Sequence, residues 1–146
     1  MGVTVAVCGT NHPHAGGHLS AFDASPRVER ILVHDADTEA ARRACEGLAK
    51  AEVHTGEWRD VLADRDVSAV CPLLPDSQSA PVALDAIRAG KHVYSDKPGA
   101  VNSEAMEQIL HACEENQVSF TPCYVWRADP TAREIRGLIR DGALGE

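Results

Sequence analysis

Short apolar runs alternate with amphipathic segments along this chain, and that alternation predicts its elements. Val3-Thr4-Val5-Ala6-Val7-Cys8 is the first run, and it turns at Gly9-Thr10-Asn11-His12-Pro13-His14. Residues 15–23 predict a helix, with Pro13 and the preceding His12 suiting its N-terminus. Ile31-Leu32-Val33 is a second strand, closing at His34-Asp35. Asp37 caps a second helix, in which Ala41, Ala44, Cys45 and Leu48 follow the i, i+3, i+4, i+7 rule. Residues 52–55 read as a brief edge strand and 57–63 as a short helix with Trp58 packed beneath it. Residues 67–74 form the next strand, where Pro72 is awkward because a central parallel strand uses that N–H. A helix over 79–89, with Leu84 and Ile87 inward, stops at Gly90. His92-Val93-Tyr94-Ser95 is a fifth strand that runs into Asp96-Lys97-Pro98. Asn102 caps a long helix with Met106, Ile109, Leu110 and Cys113 on one face. Residues 118–125 make a sixth strand, and Asp129-Pro130 opens a last helix (Ile135, Leu138, Ile139) that ends at Gly142.

Strands separated by helices predict an α/β fold, a doubly wound parallel sheet in the order 3-2-1-4-5-6 with right-handed crossovers. Such sheets bind ligands beyond the carboxyl ends of their strands, at the switch between strands 1 and 4. Topology alone gathers residues 9–14, Asp35, Leu74-Pro75-Asp76, residues 95–98 and residues 124–127 at that edge.

Composition narrows the partners. A chain of 146 residues makes one domain, and 44% hydrophobic with 25% charged residues is ordinary for a globular protein. A net charge of −8 argues against nucleic acid and anionic membrane as partners, which basic surfaces bind. No apolar run approaches the ~18 residues a membrane helix needs, and the start lacks the charged and apolar regions of a signal peptide. The five cysteines form no C-x-x-C pair, and Cys8, Cys71 and Cys123 fall in expected strands, where a thiol behaves as a small apolar group. The reading is a reduced, cytoplasmic protein.

A β-branched strand, a Gly-opened turn, a helix and a second strand ending in an acid form the first half of a dinucleotide-binding unit. In such units the pyrophosphate rests on the helix N-terminus and the acid takes the ribose hydroxyls. Asp35 follows Gly9 by 26 residues and His14 by 21, the right separation. Of G-x-G-x-x-G only Gly9 stands; Asn11 and His14 fill the other positions. Gly16 and Gly17, one turn later, are expected to restore close approach. His14 and His18 share the i, i+4 spacing of paired metal ligands, and His12 lies beside them. No carboxylate-rich partner is near in sequence, so no metal site is expected.

The run Ala89-Gly90-Lys91-His92-Val93-Tyr94-Ser95-Asp96-Lys97-Pro98 resembles the A-G-K-H-V-x-x-E-K-P signature of the glucose–fructose oxidoreductase, inositol dehydrogenase and MocA family. Val67-Ser68-Ala69-Val70 with Leu74-Pro75-Asp76 resembles the family's fourth strand and its P-N turn. Arg127, Pro130, Leu138-Ile139 and the closing Gly142-Ala143-Leu144-Gly145-Glu146 resemble its crossing segment between two domains. The resemblance implies the NAD(P)-binding domain of an oxidoreductase that acts on a sugar, inositol or similar polyol by hydride transfer. It maps the catalytic lysine onto Lys97, where a cation stabilises negative charge developing on a substrate oxygen. Pro98 would fix the turn that aims it. The implied cofactor site is Gly9, Thr10, Asn11, His12, His14, Asp35, Leu74, Pro75, Asp76, Asp96, Lys97 and Pro98. Asp35 favours NAD, with NADP the alternative, because a carboxylate repels a 2′-phosphate.

Two departures from the pattern matter. In the family's P-N-x-x-H turn, Asp76 stands for the asparagine and Ser79 for the histidine. The chain also stops where the second domain of the family begins. Residues 1–124 then form the dinucleotide domain and 125–146 the crossing segment. The substrate pocket, the partner histidine of Lys97 and the usual homo-oligomer interface belong to the missing domain, so this chain alone is expected to be inactive. An apolar patch near Val125, Trp126, Ile135 and Ile139 should mark the lost contact. The alternative is a stand-alone nucleotide-binding or sensing module without catalysis.

Overall fold

Both faces of the first strand are buried, and this explains why its sequence is apolar at consecutive positions. In the computed structural model, which describes residues 2–145, β1 (Val3–Cys8) lies between β2 (Val28–His34) and β4 (Val67–Pro72). The parallel sheet continues through β3 (Ala51–Val53) on one side and through β5 (His92–Ser95) and β6 (Phe120–Pro122) on the other, in the expected order 3-2-1-4-5-6. Val5 and Val7 join Leu19, Ile31, Val33 and Ala41 on one face, under α1 (Ala15–Ala24) and α2 (Thr38–Cys45). Ala6 and Cys8 join Val61, Val70, Ile87 and Ile109 on the other, under α3 (Trp58–Ala63), α4 (Asp76–Arg88) and α5 (Ser103–Asn116). Strands covered on both faces lose the polar alternation of a half-exposed sheet.

Several boundaries differ from the sequence reading, each for a local reason. Helix α1 starts at Ala15 with His14 as its N-cap, so Pro13 belongs to the turn before it. Helix α2 stops at Cys45; Gly47 takes φ +77°, and Leu48 packs on the core from beyond the helix end. Helix α4 begins at Asp76, three residues early, with Pro75 as its N-cap. Strand β4 ends on Pro72, and its missing N–H costs nothing there. Leu73 N–H donates to the Cys8 carbonyl on the β1 side (2.7 Å), so position 72 faces β5, whose pairing with β4 covers only Ala69 and Val70. Strand β6 is shorter than expected because its partner β5 ends at Ser95, which accepts the Cys123 N–H at 2.8 Å, and Val125–Arg127 form a single 3₁₀ turn instead.

On α5 the buried stripe is Ile109 and Ala112, whereas Leu110 is half exposed. One residue is a rotation of about 100°, enough to carry Leu110 off the inner face. Trp58 packs against the core beneath the Arg59 guanidinium, which sits 4.8 Å above its ring. The last helix, α6 (Pro130–Arg140), buries none of its residues. Ile135, Leu138 and Ile139 on it, with Val125 and Trp126 on the 3₁₀ turn, are exposed, Trp126 by 72%. None of the described helices is long and apolar enough to cross a membrane.

Candidate functional site

The chain leaves β1 through Gly9, whose φ of +94° lies where side chains are strained. A Cβ there would stand 2.6 Å from the Leu73 carbonyl oxygen and 2.8 Å from the Leu74 side chain. Gly9 N–H donates to the His34 carbonyl (2.8 Å), tying the ends of β1 and β2 together. The next residue is fastened to Asp35: the Thr10 N–H and hydroxyl both donate to Oδ2 at 2.7 Å, while Asp37 N–H donates to Oδ1 at 2.9 Å. Burial works against ionisation of Asp35. Those hydrogen bonds and the nearby His34 outweigh it and hold the carboxyl below its usual range, so Asp35 is an anion at neutral pH. A groove opens here, with Gly9, Thr10, Asn11, His12, Pro13 and Asp35 on one wall and Leu73, Leu74 and Pro75 on the other. Asn11 is exposed at its rim.

Across the same sheet edge, β5 delivers Asp96 and Lys97. Asp96 is buried, yet two histidines from the first turn and one from α1 converge on its Oδ2: His14 Nδ1 at 2.6 Å, His18 Nε2 at 3.1 Å and His12 Nδ1 at 3.6 Å. Its Oδ1 accepts the Lys97 N–H at 2.7 Å. Burial again opposes ionisation, but the hydrogen bonds from His18, His14 and Lys97 and the charge of His14 prevail. They hold the carboxyl down to about 2. Lys97 is exposed at a second groove, where Asp96, Gly17 and His18 face Tyr124, Val125, Trp126 and Arg127. Its bond to Pro98 is cis. Asp76 and Ser79 line a third, small recess with His12, Asp96 and Lys97, and the Ser79 hydroxyl donates to the Leu74 carbonyl at 2.8 Å. Ser79 therefore closes the turn into α4 with its hydroxyl where the family pattern has histidine.

The residues named from sequence thus collect at one edge of the sheet in adjoining recesses. His14, in place of the third fingerprint glycine, points outward to Asp96, and Ala15 makes the close contact with the sheet. Gly16 and Gly17 do not supply a tight approach: a Cβ on either would meet nothing within 4 Å. Sequence reasoning missed the union of His18 with Asp96. The i, i+4 spacing of His14 and His18 was the legible half of that signal, and the carboxylate arrives from 78 residues away. The cysteines are free thiols, and burial pushes Cys8 up to about 12 and raises Cys71 as well, so neither is a nucleophile at neutral pH.

Comparison with known proteins agrees with this geometry. A sequence profile of an oxidoreductase family described as having an NAD-binding Rossmann fold (Gfo/Idh/MocA) matches residues 3–124. A dTDP-3,4-didehydro-2,6-dideoxy-alpha-D-glucose 3-reductase from Streptomyces violaceoruber is 34% identical over 129 residues, 88% of this chain and 37% of that protein. An inositol 2-dehydrogenase from Salmonella paratyphi B is 25% identical over 120 residues, 82% of this chain and 36% of that one. Among solved structures, the open conformation of a 3-ketoreductase from Actinomadura kijaniata, in complex with TDP-benzene and NADP, superimposes with a TM-score of 0.89. It is 25% identical and covers all of this chain, which matches 46% of that one. The chain spans between about a third and a half of the length of these proteins.

Proposed function

This chain belongs to the Gfo/Idh/MocA oxidoreductase family and carries its NAD-binding Rossmann fold, and we propose that it holds the dinucleotide of an enzyme reducing or oxidising a sugar, inositol or related polyol. The observation that carries this reading is the single sheet edge that joins the Gly9 cradle, the anionic Asp35 and Lys97. When bound, the nicotinamide supplies or accepts the hydride. The chain's own residues do the rest. The positive φ of Gly9 and its packing against Leu73 set the turn on which the pyrophosphate would rest, and the Lys97 ammonium steadies negative charge on the substrate oxygen. Residues 125–146 then lead towards a second domain that completes the substrate pocket, and exposed Val125, Trp126, Ile135 and Ile139 form the face it covers. In a protein that extends into that domain, Trp126 should be buried and its fluorescence emission blue-shifted relative to this chain. Identical emission from the two would remove that interface.

Asp35 has two tasks in this reading, and its hydrogen bonds separate them. Each carboxylate oxygen accepts about two hydrogen bonds. Oδ2 is filled by Thr10, while Oδ1 takes only the Asp37 N–H and retains capacity for a ribose hydroxyl. The favoured cofactor is NAD, with NADP the alternative that the 3-ketoreductase complex illustrates. Titration by calorimetry or NADH fluorescence should give weak saturable binding. Asp35→Ala should lower affinity for both cofactors through the loosened Thr10 turn, and should narrow the preference against NADP(H). Absence of saturation at millimolar NADH would overturn the site.

A further inference from the structure

We propose that His12, His14 and Asp96 form a binding site for a divalent transition metal of the zinc class at the groove that holds Lys97, with His18 holding the carboxylate in place. The proposal goes beyond the dinucleotide reading and does not depend on it. A carboxylate at the centre of the cluster decides the sign of the ligand. The ionised Asp96 repels a phosphate and attracts a cation, even though it lies by the N-terminal end of α1, whose partial positive charge favours anions. Imidazole nitrogens joined by one carboxylate oxygen are the donors that zinc, cobalt and nickel prefer.

The donors lie within reach of one ion. Bonds of ~2.0–2.2 Å in a tetrahedral array put donor atoms roughly 3.3–3.6 Å apart. Here the His12, His14 and Asp96 donors fall within 4.8 Å of one another, with His12 Nδ1 3.6 Å and the hydrogen-bonded His14 Nδ1 2.6 Å from Asp96 Oδ2, so an ion would take the place of that hydrogen bond. The second requirement of a metal centre, groups that orient the ligands, is also met. The Lys97 N–H on Oδ1 turns Oδ2 towards the rings. The His18 ring stacks on Phe22 at 6.4 Å and meets the edge of Tyr94 at 5.5 Å. His12 Nδ1 accepts the His14 N–H at 3.2 Å, a hydrogen bond that an ion on Nδ1 would displace. His14, half exposed, leaves a path for entry.

The test is a zinc titration of the chain after treatment with a chelator, read by calorimetry, with cobalt(II) substitution read by visible absorption. One equivalent of zinc and the intense bands of tetrahedral cobalt are expected. His14→Gln and His18→Gln should each weaken binding by something like ~10–100-fold. The half-exposed position of His14 keeps the first variant folded whatever becomes of the second. NADH affinity measured on the same samples separates this site from the cofactor site. Absence of saturable zinc binding, or binding that His14→Gln leaves unchanged, would overturn the proposal. So would loss of NADH affinity in these variants without any zinc binding by the parent, since the histidines would then serve the dinucleotide.

Discussion

Lys97→Ala is expected to cut the turnover of the complete enzyme by ~10²–10⁴-fold, the range of a positioned proton-transfer or charge-stabilising group. Cofactor affinity should change far less. The expectation rests on position. Strand β5 ends at Ser95, the next carboxylate turns back to the histidines of the first loop, and Pro98 cannot continue the strand. Lys97 therefore lies on the carboxyl edge of the sheet, exposed to the groove between α1 and the 3₁₀ turn. Its backbone N–H is committed to Asp96, so alanine keeps the turn and removes only the ammonium. Steady-state rates at saturating cofactor, with a separate NADH titration, check both halves. Turnover equal to the parent's would take Lys97 out of the chemistry, and a collapse of cofactor affinity would recast it as a binding residue.

What the sequence made legible was whatever the backbone decides over short distances. Both-face burial writes continuous apolar runs, so β1 and β2 were readable from Val3 to Cys8 and from Ile31 to Val33. The chain order of strands and helices then placed Gly9, Asp35 and Lys97 at one edge. The failures came where a neighbour in space overrides the local pattern. Residues 123–125 resemble a strand, yet β5 ends at Ser95, the Cys123 N–H makes the last ladder bond to its carbonyl, and the chain coils into a 3₁₀ turn. Leu110 fits a helical stripe one position too broad. Asp35 was legible as the acid that follows a second strand, but its grip on Thr10 was not, since both oxygens' partners depend on how the turn folds back. The histidine cluster is the extreme case. His14 and His18 display their spacing openly, whereas their carboxylate belongs to an element four strands away in sequence and reaches them only across the finished sheet.

Gly9→Ala should damage both the fold and the cofactor site, more than its single added methyl suggests. A non-glycine residue held at this positive φ is strained by ~1–3 kcal/mol before any contact is considered. The new Cβ would also meet the Leu73 carbonyl oxygen at 2.6 Å and its carbon at 3.0 Å. These are backbone atoms, and Leu73 cannot retreat without giving up its N–H bond to Cys8 that holds β4 against β1. Against a typical stability of ~5–15 kcal/mol the loss is a large fraction, and a melting temperature lower by roughly 5–10 °C is expected at ~2–4 °C per kcal/mol. NADH binding should fall below detection, because the turn that would cradle the pyrophosphate must move. Gly16→Ala is the matching control: its Cβ meets nothing within 4 Å and it lies inside α1. There alanine should leave stability unchanged or raise it by up to ~1 kcal/mol, through its better helix propensity. Thermal unfolding of the two variants beside the parent decides the matter. If Gly9→Ala melts with the parent and still binds NADH, the close approach at Leu73 does not hold in solution, and the turn after β1 is not the cofactor cradle.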